Sequence, residues 1–224
     1  MDEHRLRIAP VGTPRATILF AAPLFEEANR SRRTIVRAMR ALAAQGFAAV
    51  LPDLPGQNES PVALADVDLN RWQSAFAETA GEIEEPIIIA ALRGGALIDH
   101  QAAAAAWWRL APVGGGSLLR TLLRARVSAD REAGVTSSLD SLQEQAKSEP
   151  LLLAGNRLSP AMVASLATSE PQAVTPLRTV ALGSGDEAIA GTPLWLRAEP
   201  GEDAAMAEAM AADIAAWSRT CGIS

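Results

Sequence analysis

The sequence predicts an α/β fold, with a mostly parallel β-sheet covered by helices on both faces. Short apolar runs alternate with amphipathic stretches along the chain. Most of these runs are continuously apolar, which is typical of strands buried on both faces of a parallel sheet. Hydrophobic residues make up 49% of the 224 residues, enough to form a sizeable core. We therefore expect one domain spanning residues 1–224.

Six apolar runs are predicted to be strands, namely 15–22, 47–53, 87–91, 107–113, 178–183 and 193–198. Apolar spacings of three and four residues predict helices between them. These cover 32–45, 69–83, a helix beginning at Gly94, and a last helix that carries Met206, Met210, Ile214 and Trp217 on one face. The segment 117–176 interrupts the alternation, and we expect it to form a helical cap over the strand ends.

Composition excludes several classes of function. The net charge of −6 and the isoelectric point near 5.0 argue against a nucleic-acid-binding protein. No apolar run approaches the roughly 18 residues of a membrane span, and the N-terminal residues contain no secretory apolar region. Cys221 is the only cysteine, so no internal disulfide can form and a cytoplasmic location is expected. No His, Cys or Asp cluster has metal-ligand spacing, and no cofactor is expected.

A sharp turn is predicted between the strand 87–91 and the helix that begins at Gly94. The residues there read Ala-Leu-Arg-Gly-Gly, over 91–95. A strand that turns sharply into a helix is where some hydrolases carry a G-x-S-x-G motif with a serine nucleophile at its centre. Arg93 occupies the serine position here, and its guanidinium stays protonated, so it cannot act as a nucleophile.

Four segments carry a resemblance to a known family. They read APLFEEANRSRR (22–33), DLPGQNES (53–60), ALRGGALI (91–98) and LAPVGGGSLLRTLLRARVSAD (110–130). They are similar to the exosortase A system-associated hydrolases. AGNRLSPAMVASL (154–166) resembles a segment of one branch of that family, in which an arginine occupies the turn that carries the nucleophile, called the elbow. The resemblance implies an α/β-hydrolase fold. It also implies a role beside exosortase in an exopolysaccharide or protein-sorting pathway.

The triad of a serine hydrolase is incomplete in this chain. A histidine base is expected in the loop 199–203, which reads EPGED and contains no histidine. His4 and His100 are the two histidines of the chain, and neither is expected at the strand ends. Asp186 or Glu187 could supply the triad acid, but without a base they would have nothing to orient. Since loss of triad members costs up to about a million-fold in rate, ordinary serine hydrolysis is excluded.

Other nucleophiles lack support. Cys221 lies in the C-terminal tail, and neither Ser60 nor Ser117 has an evident base. Ser117 is better explained as the N-cap of a helix over 118–127. A mechanism that uses only carboxylates, drawn from Glu26, Glu27 or Asp53, stays open.

Two roles remain for Arg93. A helix N-terminus, two glycines and a guanidinium together suit a bound carboxylate, phosphate or sulfate. Alternatively, Arg93 pairs with Glu26 or Glu27, because the loop 23–33 should lie beside the elbow. The residues expected to contact a small anionic or acyl ligand, or a partner, are Arg93, Gly94, Leu24, Phe25, Glu26, Glu27 and Ser117. The alternative function is an esterase or thioesterase that acts without the triad.

Overall fold

The computed structural model describes residues 4–58 and 60–223, which form a seven-stranded sheet with helices on both faces. The sheet contains β1 (Arg5–Ile8), β2 (Thr17–Ala21), β3 (Ala48–Pro52), β4 (Ile87–Leu92), β5 (Ala106–Leu110), β8 (Leu177–Leu182) and β9 (Ala188–Ile189). A separate hairpin is formed by β6 (Leu151–Leu153) and β7 (Asn156–Leu158). The strand order in the sheet is β1-β3-β2-β4-β5-β8-β9, and β1 pairs antiparallel to β3 while the other pairs are parallel. The predicted fold class is confirmed.

Helices cover the two faces of the sheet. They are α1 (Glu26–Ala44), α2 (Leu69–Gly81), α3 (Gly115–Glu132), α4 (Leu139–Gln145), α5 (Pro160–Thr168) and α6 (Ala204–Thr220). Helices α1 and α6 pack on one face, where Met39 and Met210 are fully buried. Helices α2, α3 and α5 share the other core, with Trp72 and Leu122 at its centre. In the central strands β2, β3, β4 and β5, successive apolar side chains alternate between these two cores, which explains why these strands are almost continuously apolar.

Several predicted boundaries are wrong. The first long helix begins at Glu26 rather than at residue 32, so most of the expected loop 23–33 is helical. The expected strand 193–198 is instead a short 3-10 helix, Leu194–Leu196, and the edge of the sheet is taken by β9. Leu194 and Trp195 are buried against the α1 side of the protein, which satisfies their apolar character without strand pairing.

Strand β1 was not predicted, because its sequence alternates arginine with apolar residues and its side chains are largely exposed. It pairs with β3 at the edge of the sheet. Its Arg7 and Arg5 form ion pairs with Glu85 and Glu82, near the start of β4. Such a short, charged edge strand gives little apolar periodicity from which to predict it.

The segment 117–176 forms most of the crossover between β5 and β8. Its helices and hairpin contribute to the same core as α2, and its assignment as a cap stays a prediction. Helix α3 begins at Gly115 and is capped by Gly114, so the predicted role of Ser117 as an N-cap is wrong. A Cβ built on Gly115 would lie less than 3 Å from the Leu166 carbonyl oxygen. The glycines at 114–116 thus allow α3 to start in close contact with the end of α5.

Candidate functional site

The elbow is the tight turn at the carboxyl end of β4. Arg93 follows this strand directly and has a φ of 53°, a left-handed conformation that is unusual for a residue with a long side chain. The predicted strained turn is therefore confirmed. The prediction of an α-helix after this turn is wrong, because the chain forms only a five-residue 3-10 helix, Arg93–Leu97. So short a helix supplies little of the dipole on which the anion-receptor hypothesis depends.

Gly95, in the turn after β4, lies very close to the end of β2. A Cβ built on Gly95 would lie less than 3 Å from the carbonyl oxygens of both Ala21 and Ala22. These are backbone atoms of the sheet and the adjoining loop, so they cannot move aside as a flexible side chain would. The close packing of the turn after β4 against the end of β2 therefore requires glycine.

We expect Gly95→Ala to lower the free energy of unfolding by about 1–3 kcal/mol through overpacking. Gly81→Ala is the matched control, because a Cβ at Gly81, the last residue of α2, meets no atom within 4 Å. Alanine there should be neutral or stabilising by up to about 1 kcal/mol. Urea denaturation of both variants measures the difference, and equal stabilities would contradict the proposed close packing.

The side chain of Arg93 is held by three groups. Its Nε and Nη2 lie 3.3 Å and 3.4 Å from the two carboxylate oxygens of Glu27. Its Nη1 donates to the Ala111 carbonyl at 3.2 Å, and its guanidinium carbon lies 4.8 Å from the centroid of the Trp195 ring. The arginine and glutamate side chains are 19% and 7% exposed. Arg93 is thus enclosed by protein groups.

The predicted alternative in which a glutamate neutralises Arg93 is confirmed, with Glu27 as the partner. The two N···O distances exceed the expected 2.7–2.9 Å of a tight charge-assisted pair. Burial raises the pKa of Glu27 above its ordinary value, and the attraction and hydrogen bonds of Arg93 offset only part of this effect. Two opposing effects thus act on the pKa of Glu27: burial disfavours its charged form, and the positive charge of Arg93 favours it.

Apolar side chains occupy the space next to Gly94. A Cβ built on this glycine would lie 3.1 Å from Cγ of Leu24 and 3.2 Å from Cδ2 of Leu118. Leu24 is fully buried, and Phe25, which has a φ of 59°, is 3% exposed. In a serine hydrolase the backbone after the nucleophile would form half of an oxyanion hole. Here leucine side chains pack against that backbone.

The remaining predicted contacts are less closely grouped. Ser117 is exposed on α3, and its carbonyl accepts a hydrogen bond from Thr121 within the helix. Glu26 stands in the first turn of α1, and one of its carboxylate oxygens is buried without a hydrogen-bond partner among the described residues. The structure therefore brings Arg93, Glu27 and Leu24 together but leaves Ser117 on the surface.

Two residues of the loop expected to hold the base have structural roles. In the loop before α6, Glu202 pairs with Arg37 at 2.9 Å, and Asp203 caps the helix by accepting from the Met206 N–H. The same loop, after β9, contributes Trp195 to the elbow. His100 lies in the turn that follows the 3-10 helix, and its buried Nδ1 has no hydrogen-bond partner among the described residues.

A buried ion pair that the sequence patterns did not predict joins Asp99, after the elbow, to Arg109 of β5. Asp99 accepts two hydrogen bonds from Arg109 of β5, at 2.8 Å and 2.7 Å. Their side chains are 0% and 4% exposed, and Arg109 also donates to the Gln172 carbonyl. Burial raises the pKa of Asp99 despite these bonds. The sequence does contain a signal for this pair, because Asp99 and Arg109 are each a single charged residue beside apolar residues that are expected to be buried.

Among solved structures, two of the similar chains are related to this one by fold. One is Est1E from Butyrivibrio proteoclasticus with bound ferulic acid, at 20% identity and a TM-score of 0.52, covering 74% of this chain and 66% of that one. The other is the mouse alpha/beta hydrolase domain-containing protein 10, at 16% identity and a TM-score of 0.50, covering 79% and 71%. The chain has the α/β-hydrolase fold.

This α/β-hydrolase-fold chain spans about two thirds of the length of Est1E. No family model matches its sequence, and no curated protein matches it. Within residues 4–58 and 60–223, no helix is both long and apolar enough to cross a membrane. The same residues contain no group of three or more His, Cys, Asp or Glu side chains that could hold a metal ion.

Proposed function

We propose that this α/β-hydrolase-fold protein binds a small ligand or a partner and does not act as a serine hydrolase. The observation that carries the proposal is the state of the elbow. An arginine stands where the fold carries its nucleophile. Its side chain is hydrogen-bonded to Glu27 and to the Ala111 carbonyl, and its guanidinium lies over the Trp195 ring. A hydroxyl nucleophile and a histidine base are both missing from this position.

The ion pair with Glu27 favours a structural role for Arg93 over the anion-receptor hypothesis. A guanidinium that is 19% exposed and already paired has little free charge to offer an anion. Leu24 and Leu118 also pack closely on Gly94, since a Cβ built there would lie 3.1 Å and 3.2 Å from their side-chain carbons. The predicted contacts of the elbow residues with an anionic or acyl ligand stay predictions.

The proposal includes a place beside exosortase, in an exopolysaccharide or protein-sorting pathway. Its support is the resemblance of the segments 22–33, 53–60, 91–98 and 110–130 to the exosortase A system-associated hydrolases. Three of these segments meet at the elbow, through the Glu27–Arg93 pair and the hydrogen bond from Arg93 to Ala111. The resemblance thus covers Glu27, Arg93 and Ala111, and it does not cover Trp195.

We expect no labelling by a serine-directed fluorophosphonate and negligible turnover of short-chain p-nitrophenyl esters or acyl-CoA. The physical reason is that the elbow offers a guanidinium, which cannot attack a carbonyl, and that the loop 199–203 contains no histidine to act as a base. Mass spectrometry of the treated protein measures the labelling, with an active serine esterase treated in parallel as the positive control. Stoichiometric labelling of one serine would instead support the esterase or thioesterase alternative.

A further inference from the structure

A small polar pocket lies at the carboxyl ends of β2 and β3, where the first turns of α1 face the loop after β3. Its volume is about 140 Å³. The polar residues among those that line it are Asn29, Arg32, Gln57, Asn58 and Asn156. Neither Arg93 nor Glu27 lines it, so the pocket is distinct from the closed elbow. Ligands of open α/β sheets bind at this edge, outside the carboxyl ends of the strands.

The carboxamides of the pocket retain hydrogen-bonding capacity. Asn29 and Gln57 make no side-chain hydrogen bond to the described residues. Asn58 and Asn156 each use only their amide nitrogen, toward the Asp53 carboxylate and the Ala154 carbonyl respectively. Since a carboxamide has both a donor and an acceptor end, the pocket offers donors and acceptors close together.

Arg32 adds a positive charge that is only loosely paired. Its Nη1 lies 3.5 Å from an Asp53 carboxylate oxygen, longer than a charge-assisted hydrogen bond. The arginine side chain is 43% exposed, while that of Asp53 is 9% exposed. Asp53 also accepts a hydrogen bond from Asn58 within its own loop, as aspartates in turns commonly do. The guanidinium fork of Arg32 is therefore available to a carboxylate at the mouth of the pocket.

The lining selects among ligand classes. Phe25 is 3% exposed, so it offers no open ring face on which a planar base could stack. Apolar residues also line the pocket, Ile35 and Leu51 among them, but most of its accessible wall is polar, which disfavours an acyl chain. Hydroxyl groups donate and accept at one atom, which matches a lining of carboxamides. The volume is also below the roughly 300 Å³ at which drug-sized sites begin, which restricts the ligand to about one ring.

We propose that this pocket binds a small polyhydroxylated carboxylate, the chemistry of a sugar acid. The carboxylate pairs with Arg32, and the hydroxyl groups bond to the carboxamides of Asn29, Gln57 and Asn156. This inference rests on the binding role proposed above and names its ligand class. It involves no covalent step.

The test is calorimetric titration of the full chain with D-glucuronate, compared with D-glucose and acetate. We expect glucuronate to bind at least about tenfold more tightly than either comparison compound, because only glucuronate engages both Arg32 and the carboxamides. Arg32→Gln should weaken glucuronate about tenfold or more and leave glucose unchanged. Asn29→Ala, at an exposed helical position, should weaken both sugars. Thermal melting of each variant reports whether it is folded.

Arg40→Gln is the matched control, because Arg40 is exposed on the same helix, roughly two turns further on and outside the pocket. It should bind glucuronate as the unaltered protein does. Equal weakening by Arg40→Gln, or equal binding of glucose and glucuronate, would overturn the role of Arg32. No binding of glucuronate at millimolar concentration would overturn the ligand class while leaving the absence of hydrolysis intact. Fluorophosphonate labelling would overturn the proposed function without affecting a measured glucuronate affinity.

Discussion

Replacing Arg109 with leucine is expected to lower the free energy of unfolding by about 3–5 kcal/mol. Arg109 is the ion-pair partner of Asp99, and both hydrogen bonds between them are shorter than 3 Å. The Asp99 side chain is completely buried, so the variant would strand a carboxylate away from water. Removing one member of a buried pair costs more than the pair itself contributes, because the remaining charge is unsatisfied.

Urea denaturation measures this loss, and two further variants show its origin. The double variant Asp99→Asn, Arg109→Leu should be more stable than Arg109→Leu alone, because it removes the stranded charge. Arg7→Leu is the exposed control, since Arg7 pairs with Glu85 at 2.9 Å but is 43% exposed. Its effect should stay below about 1 kcal/mol. If Arg109→Leu were as mild as Arg7→Leu, the buried pair would not be a major contribution to stability.

Replacing Arg93 with serine is expected to create no esterase and to destabilise the protein by about 3 kcal/mol near pH 7. The new hydroxyl would have no histidine to activate it, since the loop between β9 and α6 reaches the elbow through Trp195. At the same time, Glu27 would lose its counter-charge while remaining buried. Activity is measured with p-nitrophenyl esters and stability by urea denaturation. An active Arg93→Ser variant would show that a base exists near residue 93.

The destabilisation by Arg93→Ser should depend on pH. Burial already raises the pKa of Glu27, and loss of Arg93 removes the attraction that opposes this rise. A carboxyl group whose pKa is higher in the folded state binds more protons when folded, so its contribution to stability falls as the pH rises through that range. The difference between the variant and the unaltered protein should therefore be smaller at about pH 5 than at about pH 7.

Adding Glu27→Gln to Arg93→Ser isolates the stranded charge. The double variant should recover part of the lost stability near pH 7, and its own stability should lack the pH dependence that the buried Glu27 carboxyl gives to Arg93→Ser. A pH-independent deficit in Arg93→Ser itself would mean that lost packing against Trp195, rather than the Glu27 carboxylate, causes the destabilisation.

At the candidate site, the sequence predicted which residue occupies the elbow, but it did not predict which side chain that residue contacts. The sequence placed Arg93 at an elbow and named two adjacent glutamates as its partners, but it could not choose between them. Successive residues of an α-helix point about 100° apart. Which glutamate faces the elbow therefore depends on where α1 begins. Phe25, with its φ of 59°, precedes the helix and sets that start.

By itself, the sequence predicted the fold class that the structure confirms and an elbow that carries an arginine in place of a serine. Continuous apolar strands are typical of a parallel sheet covered on both faces, and a guanidinium cannot act as the nucleophile that a serine would supply. Tertiary structure alone decided that Glu27 and Trp195 enclose Arg93, that Asp99 pairs with Arg109, and where a polar pocket lies. These contacts join residues that are far apart in the chain or lie in loops, and strand register and helix starts bring them together. Local periodicity carries information about which face of an element is buried, but not about which distant side chain it meets.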